Sequence, residues 1–179
     1  MGSTITYVTG DALTATILNS KIDTVEGTDL HASNDFKSRV FLVNAFICPA
    51  PGTDWTPQLE GVNLPASKSA KKCWIPLNFL KIGDIITTYQ LVGDATEAAA
   101  LTLDCKLVKV NKADPLTTTD ITNGAITQIT ADGVIDSAAN PDDETVATDK
   151  QYVLELLGTT GVGDSITVIG AEVTVARKL

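Results

Sequence analysis

The stretch "LTLDCKLVKV", residues 101–110, alternates apolar and polar side chains: Leu101, Leu103, Cys105 and Leu107 on one side, Thr102, Asp104 and Lys106 on the other. A period of two suits a strand with one face on a core and one toward water; a helix needs recurrence every 3.6 residues. After Leu107 the phase slips, and Val108 and Val110 carry the apolar side, which predicts a β-bulge or a change of sheet there. Other segments read the same way. "RVFLVNAFIC", 39–48, is apolar on both faces, and such a strand is expected to be covered on both, a subunit contact being one candidate for the cover. "CWIPLNFLKIGDIITTYQLVG", 73–93, reads as a short strand, a Gly83-Asp84 turn and a longer strand, and "GAITQIT", 124–130, as a shorter one. "QYVLELLG" and "DSITVIGAEVTVA", joined by "GTTGVG", predict a hairpin, with a phase change at Gly170. "GDIIT" at 83–87 and "GDSIT" at 163–167 read as two similar turn-to-strand entries.

Seven or eight strands without intervening helices predict an all-β fold, an antiparallel β-sandwich. The stretches 49–72 and 131–150 read as long crossing loops, which favours a jelly-roll or Greek-key arrangement. Composition agrees. Of 179 residues, 44% are hydrophobic but only nine are aromatic, so the core must be built from Val, Ile, Leu and Ala. A chain of this size buries roughly 70% of its extended-chain surface on folding, enough for one domain with an appendage.

Thirteen basic residues against 22 acidic ones give a net charge of −9 and a pI near 4.4. A phosphate backbone would be repelled, and "KSAKK" at 68–72 is too short to compensate, so no nucleic-acid partner is expected. No apolar run of about 18 residues exists, so no membrane span is expected either. "MGSTITYVTGD" lacks the charged and apolar regions of a secretory signal.

The N-terminal part differs in period. Asp11–Glu26 reads as a short amphipathic helix, with Asp11 as N-cap and Gly27 past its end. Ala15, Leu18, Ile22 and Val25 follow a 3-4-3 spacing, and Ile17 widens the stripe. Three to four turns are too few to stand alone in water, so the helix must dock on its own sheet, on sister subunits or on a larger assembly. The chain is thus expected to divide into an arm, 1–30, and a β-sandwich domain, 31–179. Within the second, Phe41 and Val43 are candidate assembly contacts together with the helix stripe. Trp55, in the Pro/Gly-rich stretch 49–72, is expected either to tuck into its own domain or to anchor a partner.

Little in the sequence carries chemistry. His31 is the only histidine and has no nucleophile-elbow context, and "GTTGVGDS" lacks the Gly-Lys-Ser/Thr ending of a phosphate loop. No enzyme, cofactor or catalytic residue is therefore expected. Asp142, Asp143 and Glu144 offer oxygens to Ca²⁺, but their spacing matches no EF-hand and a solvated turn is the simpler reading. Cys48, Cys73 and Cys105 sit in apolar strand-like contexts, which suits buried free thiols better than a disulfide or a zinc site.

Two stretches resemble a known class. "VTGDALTATILNSKID" is similar to the N-terminal segments of tailed-bacteriophage fibre and other virion proteins. "WIPLNFLKIGDIITTYQLVG", with "LTLDCKLVKV", "NGAITQIT", "ETVATDKQYVLELLGTT" and "ITVIGAEVTV", resembles the β-sandwich of phage structural proteins. The resemblance covers about two-thirds of the chain and none of it falls on catalytic residues. It implies a capsid-decoration, head-fibre or fibre-type virion protein, assembled in the host cytoplasm, homotrimeric, and fixed to other virion proteins through its arm. The alternative class is a carbohydrate- or receptor-binding module that meets a host glycan, with Trp55 as its contact.

Overall fold

The computed structural model describes residues 36–45 and 54–178. The chain divides into the unit Ser38–Arg177 and a second made of Met1–Lys37 with Lys178–Leu179. The predicted helix and the expected boundary at residue 30 lie outside the described residues.

The described residues form eleven strands: β1 (Phe36–Asn44), β2 (Thr56–Gln58), β3 (Gly61–Leu64), β4 (Lys68–Pro76), β5 (Ile85–Thr96), β6 (Leu101–Asn111), β7 (Thr117–Ala125), β8 (Gly133–Ala139), β9 (Glu144–Thr145), β10 (Lys150–Thr160) and β11 (Ser165–Lys178). One sheet runs β2-β3-β11-β5-β8, with β1 added to β11 and β9 to β5; the other runs β4-β10-β6-β7. Every pairing with a determined register is antiparallel. Set side by side, β3-β11-β5-β8 and β4-β10-β6-β7 place chain neighbours at corresponding positions of opposite sheets. That is the winding of a jelly roll, the arrangement expected, though with eleven strands where seven or eight were expected.

The core lies between the sheets and follows the period-2 pattern. Leu101, Leu103, Cys105 and Leu107 of β6 face Ile86, Tyr89, Leu91 and Ala95 of β5, and all are buried. The predicted phase change at Gly170 is real: the β11–β5 register shifts between Val168 and Gly170. The one expected after Leu107 is not a bulge in β6, whose register with β10 runs unbroken; the irregularity beside Lys106 and Val108 lies in β7, where Asp120–Ala125 spans the same two steps. Cys73 and Cys105 are buried and flank Leu156 in one cross-strand row. With β10 between them they stand about 10 Å apart, too far for a disulfide. Burial pushes the Cys105 thiol up to about 12. Cys48 lies outside the described residues.

Four expectations need correction. The segments β10 and β11 are not a hairpin: β10 pairs with β4 and β6, and β11 with β3 and β5, so the Gly161–Gly163 turn crosses from one sheet to the other. Residues 49–72 are not one long loop, because β2, β3 and the start of β4 lie in them. The strand expected at 124–130 is instead Thr117–Ala125, rich in Thr, with only Ile129 bridging to Leu103 beyond it. The turn-rich stretch 131–150 holds β8 and β9. Strand β7 buries two of its nine residues and β8 two of its seven, too few to show as apolar runs.

Trp55 explains part of the second correction. Its indole is 2% exposed and donates from Nε1 to the Lys71 carbonyl at 3.0 Å. A Cβ on Gly158 would come within 2.9 Å of Cζ2 of that ring and 2.6 Å of Leu64 Cδ2. Only glycine on the inner face of β10 leaves room for the indole. Trp55 therefore tucks into its own domain, and its ring is not at the surface to anchor a partner.

Candidate functional site

Two buried carboxylates frame the sandwich, and the two Gly-Asp sequences supply them. Gly83 and Gly163 adopt φ of 86° and 85°, a left-handed conformation glycine takes without strain. Asp84 and Asp164, each next in sequence, are 2% and 1% exposed. Each accepts at Oδ2 from the backbone N–H three residues earlier, Lys81 at 2.8 Å and Gly161 at 2.6 Å. Asp164 also accepts from the N–H groups of Ala98, Ala99 and Ala100 at 2.6, 2.8 and 3.1 Å. It thereby ties the β5–β6 connection to the start of β11. Asp84 instead meets Arg177, with Nε–Oδ1 at 2.8 Å and Nη2–Oδ2 at 2.6 Å.

The N–H of Ala98, then those of its neighbours, hold the Asp164 carboxyl below its usual value against the effect of burial. Burial pushes Asp84 up, but the bonds from Arg177 and Lys81 outweigh it and its pKa is also lowered. Groups with lowered native pKa values stabilise the fold above their unfolded value of 3.8. That contribution falls as the pH drops through 3.8 toward the native values, because the unfolded chain takes up protons first. Melting temperature is thus expected to stay nearly level from pH 7 to about 5 and to fall steeply below about pH 4. The slope should flatten in Asp164→Asn; a wild-type curve unchanged down to pH 3 would contradict it.

Strand β1 presents a different surface. Phe41 and Val43, the expected assembly contacts, are half-buried and pack on the protein's own core. Phe41 stacks on Phe79 with centroids 4.4 Å apart, and the Arg177 guanidinium lies 4.8 Å from its ring. Since alternate residues point to opposite faces, Val40 and Leu42 point out, 59% and 79% exposed. The side of β1 left for a neighbour is therefore the reverse of the one expected. Beside it Ile169, thrown outward by the bulge in β11, and Val92 line a hollow of about 270 Å³ with Leu42 and Glu172. Among the described residues, β11 is the only strand paired with β1.

The outer face of the four-stranded sheet is polar and ordered in rows. Register places Trp74, Glu155, Lys106 and Ala125 side by side across β4, β10, β6 and β7. The next row is Lys72, Leu157 and Asp104. Glu155 Oε2 accepts from Lys72 Nζ at 3.1 Å and from the Trp74 indole N–H at 3.2 Å, and Oε1 lies 3.5 Å from Lys106 Nζ. Lys106 also reaches Asp120 at 2.9 Å, and the Gln128 amide donates to Asp104 at 2.9 and 3.0 Å. Burial pushes the Glu155 carboxyl up, but Lys72 and the Trp74 indole more than offset it, and the group is held below its usual value. Trp74 did not stand out from the sequence as a surface residue. The signal was present: Cys73 and Ile75 alternate inward, so the tryptophan between them must face out.

The other candidate residues fall elsewhere. Ala15, Leu18, Ile22, Val25 and His31 lie outside the described residues. Of the acidic turn, Asp142 Oδ1 accepts from Asn123 at 2.8 Å, and Glu144 is held by Lys109 at 3.0 Å and the Tyr152 hydroxyl at 2.9 Å. Two of its three carboxyl groups are thus engaged by separate partners. Among the described residues no three His, Cys, Asp or Glu side chains converge as metal ligands. The arrangement offers binding surfaces: one apolar, one of paired charges around an indole.

By fold the chain is a jelly-roll β-sandwich protein. No family model and no curated protein matches it. Among solved structures it is similar to the CBM22-1 and GH10 modules of Clostridium thermocellum xylanase 10B in complex with xylohexaose. There the identity is 15% and the TM-score 0.49, over 82% of this chain and 29% of that one. A family two carbohydrate esterase from Cellvibrio japonicus is 6% identical over 79% of this chain and 34% of the other, with a TM-score of 0.35. The structure of infectious bursal disease virus, Gt strain, is 15% identical over 80% of this chain and 34% of the other, with a TM-score of 0.33. The chain spans about a third of each of these. At such identities the likeness is one of chain path and carries nothing about activity.

Proposed function

We propose that the chain is a structural component of a phage-type virion, a capsid-decoration or fibre protein that associates with copies of itself. The observation that carries this reading is β1: a strand apolar on both faces, of which one packs inside and the other leaves Val40 and Leu42 at 59% and 79% exposure. Exposed apolar side chains on a strand that, among the described residues, pairs with β11 alone favour contact with another chain. The resemblance of "VTGDALTATILNSKID" and of the strand segments to virion proteins supports the particle context. In this reading the stripe Ala15, Leu18, Ile22 and Val25 is a second contact, residues 1–30 are the arm that joins other virion proteins, and the assembly is a homotrimer.

Light scattering coupled to size exclusion tests it. The expected mass is about three times the 18.8 kDa of one chain. Leu42→Asp should shift it to one chain while leaving the melting temperature nearly unchanged, since an exposed site costs within about 0.5 kcal/mol. A wild-type chain that stays monomeric at high concentration, or an assembly indifferent to Leu42→Asp, counts against the proposal.

A further inference from the structure

We propose that the outer face of the β4-β10-β6 sheet binds a neutral oligosaccharide, which stacks on Trp74 and hydrogen-bonds to Glu155, Asp104 and the lysines beside them.

Three observations lead there. The first is shape. A cavity of about 340 Å³ opens on this face, lined by Lys72, Asp104, Lys106, Ala125, Glu155 and Leu157, with Cys105 and Ile126 at its floor; Trp74 is outside this lining. That is within the range of small-ligand sites, roughly 300–1,000 Å³. Trp74 stands in the same cross-strand row as Glu155 and Lys106. The row of Leu157 lies two residues along β10, about 7 Å away.

The second is charge. Lys72 and Lys106 face Glu155, Asp104 and Asp120, so the cluster is slightly negative on a chain of net charge −9. A phosphate, sulfate or polyanion is disfavoured at such a surface. A cation is disfavoured too, because Lys72 and Lys106 hold Glu155 and Asp120, and the Gln128 amide holds Asp104.

The third is the mixture of group types. Each lysine ammonium carries three donors, and each carboxylate oxygen two acceptor positions, so the observed bonds leave both kinds unused. Leu157 and Ala125 give the cavity apolar surface, and the half-buried indole of Trp74 stands in the row beside it. A ligand that fits must donate, accept and present C–H groups together, and a sugar ring does all three. Indole rings suit such a surface because one side of the contact is apolar and the rim is polar.

The test is an array of immobilised glucose-, galactose-, mannose- and N-acetylglucosamine-terminated oligosaccharides probed with the full chain. Saturable binding to at least one is expected. Trp74→Ala and Glu155→Gln should each weaken it at least tenfold. Because Trp74 is half-buried, Asp104→Asn serves as a near-isosteric second variant, with the melting temperature recorded for all three. Silence across the array overturns the proposal, as does binding that survives all three substitutions. Leu42→Asp should leave glycan binding intact, so failure of the assembly reading and failure of this one are told apart.

Discussion

Arg177→Ala is expected to cost roughly 3 to 5 kcal/mol of stability, because it leaves a buried carboxylate without its counter-charge. Asp84 is 2% exposed, and the Arg177 side chain 13%. The guanidinium grips both carboxylate oxygens, donates from Nη2 to the Phe79 carbonyl at 3.1 Å, and lies 4.8 Å from the Phe41 ring. One side chain thus joins the end of β11 to the entry of β5 and to β1. After its loss, the backbone N–H of Lys81 is the remaining hydrogen-bond donor to Asp84. Thermal melting should show a fall on the order of 10 °C for a chain of this size. Arg177→Lys should recover only part of it, since an ammonium cannot bridge both oxygens in one plane. Adding Asp84→Asn to Arg177→Ala should cost less than the two changes summed, because the stranded charge is gone. Additive costs would show that the pair is not coupled as its geometry implies.

Trp55→Ala should cost a similar amount, about 3 to 5 kcal/mol, for a different reason. The ring is 2% exposed and fills the space above Gly158 and against Leu64. Its removal opens a cavity between the sheets and deprives the Lys71 carbonyl of the donor at 3.0 Å. Denaturant unfolding should show a lower midpoint at nearly unchanged slope. Trp55→Phe keeps most of the apolar volume but not the N–H, so a smaller loss, about 1 to 2 kcal/mol, is expected. A loss below about 1 kcal/mol for the alanine variant would mean the indole is not the anchor its burial indicates. Neither Trp55 variant should alter the proposed glycan binding, because the Trp55 ring is buried in the core.

What could be read in advance followed the two-residue period. Strands β5, β6, β10 and the latter part of β11 were visible because each buries every second side chain over a long run. The bulge at Val168–Gly170 was visible for the same reason: a shift of register moves the apolar set to the other face. The Gly-Asp pairs at 83–84 and 163–164 announced equivalent turns, and the structure adds that both aspartates are buried. Strands β2, β7 and β8 were not legible, being short or largely exposed, with Thr, Pro and Asp where an apolar run would have marked them.

The candidate surfaces divide in the same way. Alternation alone says that Trp74 and Leu42 oppose the buried residues beside them, but not whether a second layer covers them. Trp55 had no strand to give it a direction, and only the approach of Gly158 and Lys71 shows its place inside. The local pattern of apolar and polar residues therefore determined that this chain makes sheets and which face of each long strand turns inward. Which strands pair, that β10 and β11 part into opposite sheets, and which apolar residues stay uncovered were decided by long-range packing, because a strand's hydrogen bonds are satisfied equally well by many partners and only the closed core selects among them.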